Sequence, residues 1–253
     1  MLYIILATYH EESNIGAVVF HLVRILEEPF FLIIDDSEDN STRVAVLQAF
    51  TALRFSNYKY IHRGQKRGLG TAYRYAMKEL TALASNNVNE TDDMVAILDS
   101  DLSHDPCDIA KLATCMRETG ADIVAGSRYR TGGSVSGWPR RRIAISSTAN
   151  FLAQTVLGIR VTDCTSSMRV YKLSTIMSII DQTRSTGFSI QLELISLASM
   201  YGYKLLEVPI CFSERVNGSS SLSCKEIYKF LMLIAHLWWK QRTSEARRTL
   251  CGQ

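Results

Sequence analysis

Short, unbroken apolar runs that stop at polar or acidic residues recur through the first half of the chain, and they restrict its fold more than any other feature. Leu2-Tyr3-Ile4-Ile5-Leu6-Ala7 runs into Thr8-Tyr9-His10-Glu11-Glu12, Phe30-Phe31-Leu32-Ile33-Ile34 stops at Asp35-Asp36, and Met94-Val95-Ala96-Ile97-Leu98 stops at Asp99-Ser100-Asp101. Runs without alternation suit strands covered on both faces, as in a parallel sheet. Between the first two, Asn14–Leu26 carries apolar residues at helical spacing, with Ser13 or Asn14 as a cap, which makes a βαβ unit. The alternation continues with helices over Thr42–Leu53, Thr71–Ala84 and Asp108–Glu118 and strands at Tyr58–Ile61 and Asp122–Gly126. An α/β fold with a mostly parallel sheet is expected, with the polar stretch 86–93 as a surface loop inside one domain.

The chain's 253 residues, 47% of them hydrophobic, suffice for one such domain with a full core, and no Pro-, Gly- or Ser-rich linker divides them. A net charge of +3 gives no reason to expect nucleic acid as a partner. Six scattered cysteines (Cys107, Cys115, Cys164, Cys211, Cys224 and Cys251) form no C-x-x-C pair and read as reduced thiols. No signal peptide opens the chain, so it is expected to face the cytosol, where the sequons at Asn40, Asn89 and Asn217 would not be glycosylated.

Ligands of open parallel sheets bind at the carboxyl ends of the strands. Those ends here carry Glu11, Asp35, Asp36, Asp99, Asp101 and Arg128. An acidic cluster with no Ser-His or Cys-His pair beside it points to a divalent cation and a phosphate-bearing ligand, not to a covalent nucleophile. In Asp99-Ser100-Asp101 the carboxylates alternate by two, which at an extended strand end puts both on one side, close enough to share Mg²⁺ or Mn²⁺. Gly68-Leu69-Gly70 lacks the third glycine of a dinucleotide fingerprint and is expected instead to allow a close turn into the next helix. Arg63, Lys66 and Arg67 just before it are placed to approach a phosphate, or to form a solvated basic loop.

A longer ordered set of motifs follows. Leu98-Asp99-Ser100-Asp101-Leu102-Ser103-His104-Asp105-Pro106 leads to Ala125-Gly126-Ser127-Arg128-Tyr129, then to Gly132-Gly133-Ser134-Val135-Ser136-Gly137-Trp138 and the stretch from Arg141 to Asn150; Asp163–Tyr171 and Glu207–Gly218 come later. In this order they resemble the family 2 glycosyltransferases and, within them, the dolichol-phosphate mannose synthase group. The resemblance implies a single GT-A, Rossmann-like glycosyltransferase domain that moves mannose from GDP-mannose to dolichyl phosphate with inversion, for protein glycosylation and GPI-anchor synthesis. It maps a donor site onto Ala7, Tyr9, Glu11, Ile34, Asp36, Asp99 and Ser100, and a cation site for Mg²⁺ or Mn²⁺ onto Asp99, Asp101 and Ser103. It assigns catalytic roles to Asp101, Arg128 and Arg215, and substrate contacts to Arg142, Ser146 and Ser221. Arg128 and Arg142 are expected to face the lipid phosphate and Arg215 the donor phosphates. It further implies a peripheral enzyme on the cytosolic face of the endoplasmic reticulum membrane, with small membrane-embedded partner subunits.

Several positions depart from the family pattern. Ala7 stands where the family has Pro and His10 where it has Asn; the segment after Asp35-Asp36 is one residue short; Ser221 replaces a Lys, with Lys225 the nearest substitute. These departures keep two alternatives in view: a sister enzyme using UDP-glucose, and a non-catalytic homologue that binds nucleotide sugar as a subunit. The catalytic domain is placed over residues 1–226, and 227–253 is read as an amphipathic helix with a basic tail. Its apolar core, Phe230–Ala235, is far short of the roughly 20 residues that span a bilayer. On a helix, Ile227, Leu231, Ile234 and Trp238 form a stripe flanked by Lys229, Lys240 and Arg242. Such a stripe suits a headgroup region, a membrane partner or the core.

Overall fold

The computed structural model describes residues 1–84, 93–214 and 224–250. Arg215, Ser221, Asn89, Asn217, Cys251 and most of the loop expected over 86–93 lie outside the described residues. The apolar runs become strands β1 (Leu2–Thr8), β2 (Phe30–Asp35), β3 (Tyr58–His62), β4 (Met94–Asp99) and β5 (Ile123–Ser127), and the periodic segments between them become helices α1 (Ile15–Ile25), α2 (Ser41–Ala52), α3 (Leu69–Ala84) and α4 (Asp108–Thr119). The second half adds β6 (Ser134–Val135), α5 (Arg140–Leu157), β7 (Arg169–Lys172), α6 (Leu173–Ile180), α7 (Ile190–Met200), β8 (Leu205–Pro209), β9 (Cys211–Phe212) and α8 (Cys224–Leu250).

Seven strands form one sheet in the order β3-β2-β1-β4-β7-β5-β8. All pairings are parallel except the two made by β7, which runs antiparallel between β4 and β5. The mostly parallel sheet expected from the sequence is thus present. Alternation along each strand sends side chains to two layers. Leu2, Ile4 and Leu6 of β1 pack with Val18, Leu22, Val46 and Leu112 from α1, α2 and α4, while Tyr3 and Ile5 pack with Ala76, Ala153, Ile176 and Leu194 from α3, α5, α6 and α7. Complete burial of one such aliphatic side chain stabilises the fold by roughly 1.5–3 kcal/mol.

Two features of this frame position the site. The β1–β4 neighbourhood is where the strand order reverses, so a crevice opens at their carboxyl ends. The glycines at the start of α3 serve close packing: a Cβ on Gly70, in its first turn, would lie 2.1 Å from the Ser185 carbonyl oxygen, and the Gly70 N–H donates to the Thr186 carbonyl at 2.9 Å. That contact fixes loop 181–189 against the rim of the sheet.

Candidate active site

At the end of β2, Asp35 and Asp36 have separate duties. Asp35 is fully buried and accepts from the Thr8 hydroxyl at 3.0 Å, from the Ser37 hydroxyl at 2.7 Å and from the Tyr60 hydroxyl, so it knits β1, β2 and β3 together. Asp36 accepts from Arg63 Nε at 2.5 Å and from the N–H groups of Arg67 and Gly68 at 2.8 and 3.1 Å. Arg63 is therefore a buried partner of Asp36 and not a solvated surface cation. His10 sits at φ +55°, a left-handed conformation that Asn and His adopt more readily than most residues. This explains why His10 replaces the family's Asn without breaking the loop. Its N–H donates to Ser37 Oγ at 2.9 Å.

Across the crevice, Asp101 is almost fully buried and its Oδ1 accepts from the Ser103 N–H at 3.0 Å and the Ser103 hydroxyl at 2.5 Å. Ser103, expected as a cation ligand, donates to the Asp101 carboxylate and so fixes its rotamer. Leu102 between them holds φ +60°, a strained conformation for a residue with a branched side chain. The Asp99 side chain is 21% exposed, and the buried His104 places Nδ1, which has no hydrogen-bond partner, 3.9 Å from Asp99 Oδ2. Burial, then the Arg128 charge, pushes the His104 pKa down to about 4, so the imidazole is neutral at physiological pH.

Among the described residues no group of three or more His, Cys, Asp or Glu side chains could form a metal cage. Two carboxylates and a hydroxyl are the donor set of a hard divalent cation that completes its shell with water and ligand phosphates. The residues present fit such an ion.

The arginines lie beside this acidic end, the Arg128 charge acting on both His104 and Asp99. Arg128 is buried in a forked pair with Asp163, Nε to Oδ2 at 2.7 Å and Nη2 to Oδ1 at 2.8 Å, and Nη2 also reaches Thr165 Oγ1 at 2.7 Å. Nη1 makes no hydrogen bond to a described residue, which leaves one edge of the fork for a ligand. Burial opposes the ionisation of Asp163, yet the charge and hydrogen bonds of Arg128 hold its carboxyl below the usual range. Glu207 accepts from the N–H groups of Thr162 and Asp163 at 2.8 and 2.9 Å and steadies this loop. Arg142 stacks on Trp138, 3.8 Å from the ring centroid, and approaches Glu214 at 3.4 Å, while Arg140 and Arg141 are exposed. Phe212 ties the two groups together, 4.8 Å from the His104 ring, 5.1 Å from the Trp138 ring and 5.3 Å from the Arg128 guanidinium carbon.

The remaining expected residues divide by exposure. Ala7 and Tyr9 are partly exposed at the β1 end, with Lys66 Nζ 3.9 Å above the Tyr9 ring. Glu11 is turned to α1: its carboxylate accepts from Asn14 Nδ2 at 2.8 Å and its carbonyl from the Ile15 N–H at 2.9 Å. Ile34 is fully buried in the core, so its side chain does not reach the crevice. Ser100 is buried; Ser146 lies on α5, its carbonyl accepting from Asn150 at 3.0 Å. Asp163, Glu207 and His104 carry the architecture without standing out as site residues in the sequence, and Arg63, read there as a candidate phosphate contact, is engaged by Asp36. The signal available for Asp163 was its place at the head of the Asp163–Tyr171 motif.

These carboxylates and arginines gather at the carboxyl ends of the sheet, next to its reversal of strand order, where open α/β sheets bind their ligands. The Glycosyl transferase family 2 model matches residues 3–179, and the chain belongs to this family of glycosyltransferases. It is 29% identical over 245 residues to polyprenol monophosphomannose synthase of Mycolicibacterium smegmatis, covering 96% of this chain and 89% of the relative. It is also 29% identical over 220 residues to undecaprenyl-phosphate mannosyltransferase of Micrococcus luteus, covering 87% and 86%. Its fold is similar to the crystal structure of glucosyl-3-phosphoglycerate synthase from Mycobacterium tuberculosis with Mn²⁺, UDP and glucosyl-3-phosphoglycerate, with TM-score 0.63, 16% identity and coverage of 95% and 79%. Mannosyl-3-phosphoglycerate synthase from Rubrobacter xylanophilus gives TM-score 0.63 at 15% identity, covering 98% and 75%.

Proposed function

We propose that this glycosyltransferase moves mannose from GDP-mannose to a polyprenyl phosphate, dolichyl phosphate in particular, with inversion at the anomeric carbon. The observation that carries the reading is the Arg128–Trp138–Arg142 cluster beside the acidic strand ends, with Arg128 coupled to Asp99. The carboxylates suit a cation-bound diphosphate, and the arginines suit a second phosphate that is itself the nucleophile. The likeness to two prenyl-phosphate mannosyltransferases along most of the chain supports the same choice.

A phosphate oxygen of the acceptor attacks C1 of mannose while the bond from C1 to the GDP oxygen breaks, and GDP departs with the electron pair. The acceptor is already anionic at neutral pH, so no general base is required. Arg128, its fork held by Asp163, and Arg142, held flat on Trp138, orient the acceptor phosphate. Asp99 and Asp101 would hold a divalent cation, Mg²⁺ or Mn²⁺, which would supply positive charge against the leaving diphosphate.

Among the described residues no helix is long and apolar enough to cross a membrane. Tyr228, Leu231, Met232 and Trp239 of α8 nevertheless stand exposed, as does Phe151 of α5. This face supports the further proposal of a peripheral enzyme at the cytosolic side of the endoplasmic reticulum membrane, in contact with lipid or a small membrane-embedded subunit, whose product feeds protein glycosylation and GPI-anchor synthesis. Purified protein supplied with a short-chain polyprenyl phosphate should form mannosyl product from GDP-mannose, lose it on chelation and regain it with Mg²⁺ or Mn²⁺. Turnover of UDP-glucose instead would reassign the donor, and binding of GDP-mannose without turnover would make the chain a binding subunit.

A further inference from the structure

Away from the crevice, a pocket of about 430 Å³ opens between α8 and the loop that follows α6. Arg184 and Asp181 line one side; His236, Trp239, Lys240 and Thr243 line the other. Both walls are built. The loop is pinned by Glu193, which accepts the Arg184 and Ser185 N–H groups at 2.9 Å each, and by Arg74 Nη1, which donates to Thr183 Oγ1 and the Ser185 carbonyl at 3.0 Å. The helix is pinned by Ile234 and Leu237, both buried in the core, which fixes the direction of His236, Lys240 and Thr243 at spacings of four and three along one face.

Neither the Arg184 guanidinium nor the Lys240 ammonium forms an ion pair with a described residue. Against them stands a single carboxylate in the lining, Asp181. Two cations, a hydroxyl and an imidazole around one cavity suit a phosphate oxyanion. The same face of α8 continues toward its N-terminus through Met232 and Tyr228, 53% and 64% exposed, and Trp239 is 65% exposed at the pocket mouth. An apolar surface leading into a basic, tryptophan-edged pocket is the arrangement of a site at the level of lipid headgroups.

We propose that the Arg184–Lys240 pocket binds the phosphate of an anionic phospholipid headgroup and so sets the rotation of the enzyme on the membrane. The proposal rests on the reading that this face lies on a bilayer. The test is co-sedimentation with vesicles of phosphatidylcholine alone and of phosphatidylcholine with a minor fraction of phosphatidylinositol. The parent should favour the anionic vesicles, and Arg184→Gln/Lys240→Gln should lower that binding about a hundredfold or more, beyond the roughly fivefold per basic residue that general attraction to the surface supplies. Its binding to neutral vesicles, melting temperature and turnover of a short-chain acceptor should stay as in the parent. Lys229→Gln/Arg242→Gln, on the same helix outside the pocket, controls for general attraction and should cost much less. An equal loss in both pairs, or no preference of the parent for anionic vesicles, overturns the pocket while leaving the membrane reading intact. A parent that sediments with neither vesicle overturns the membrane reading. If such a protein is nonetheless stabilised by inorganic phosphate through Arg184 and Lys240, the pocket belongs to a soluble phosphate and the lipid assignment fails.

Discussion

Asp101 shows how a single carboxylate is prepared for charge chemistry: Ser103 fixes one oxygen with two hydrogen bonds, and burial keeps water from competing. Asp101→Asn retains an acceptor for Ser103 and the same shape, but it removes the ligand's charge. The variant should fold with an unchanged melting temperature and lose cation-dependent turnover by about a hundredfold or more; normal turnover would remove Asp101 from the cation site. Arg128→Lys keeps a charge beside Asp163 but not the fork, so it should impair turnover at least tenfold and lower stability by about 1–3 kcal/mol, read by urea melts and steady-state kinetics. Unchanged values in both would make the pair dispensable. Asp99 and Asp101 were legible in sequence because their alternation sits directly after a buried run. Asp163 and Glu207 were not, because their partners, Arg128 and the Thr162 and Asp163 N–H groups, lie 35 and up to 45 positions away. The choice of Arg142 within Arg140-Arg141-Arg142 also needed the fold, since it is the Trp138 ring that singles it out.

The regular elements of the first half follow from periodicity, and their observed bounds fall within a residue or two of those read from the sequence. The second half is harder for a physical reason. β7 is four residues long and contains a fully buried Arg169, whose donors reach the carbonyls of Gln191 and Cys164 at 2.6 and 2.8 Å, so no apolar run announces it. α5 mixes polar and apolar residues around its circumference, burying only Asn150, Ala153 and Leu157 and packing chiefly on α8, so its pattern gives little helical signal. In α8 the stripe read from sequence divides: Ile234 is buried, with Leu237 beside it, whereas Ile227, Leu231 and Trp238 remain more than a third exposed. Through Ile234 and Leu237, α8 is therefore tied to the core, so residues 227–253 are not removed without cost. Deleting them should destabilise the domain as well as free it from membranes, and Ile234→Ala alone should cost about 2–4 kcal/mol in a urea melt. Trp239→Gln, at an exposed position, should change stability by no more than about 0.5 kcal/mol. A truncated protein that melts like the parent would show that α8 contributes only to the surface.

Across the whole molecule, the inserted β7 joins the β1–β4 half to the β5–β8 half, and the layer behind it buries groups that would ionise in alkali. Burial pushes the Cys164 thiol up to about 12 from 9.0, although the Arg169 charge pulls the other way, and burial likewise raises the Tyr73 phenol well above 10.0. Between pH 9 and 12 the unfolded chain releases the Cys164 proton while the folded chain keeps it, so unfolding gains ground as pH rises. The stability is fully present below pH 9 and declines above it, by up to about 1.4 kcal/mol per pH unit for this one group. Tyr73 adds a loss of the same sign, which is why the parent is compared with Cys164→Ala and not with theory. In urea melts at a series of pH values from 8 to 11, the parent should lose stability more steeply than Cys164→Ala, and the two curves should run parallel below pH 9. Parallel curves throughout would mean that the thiol ionises in the folded state and that this side of the core admits water.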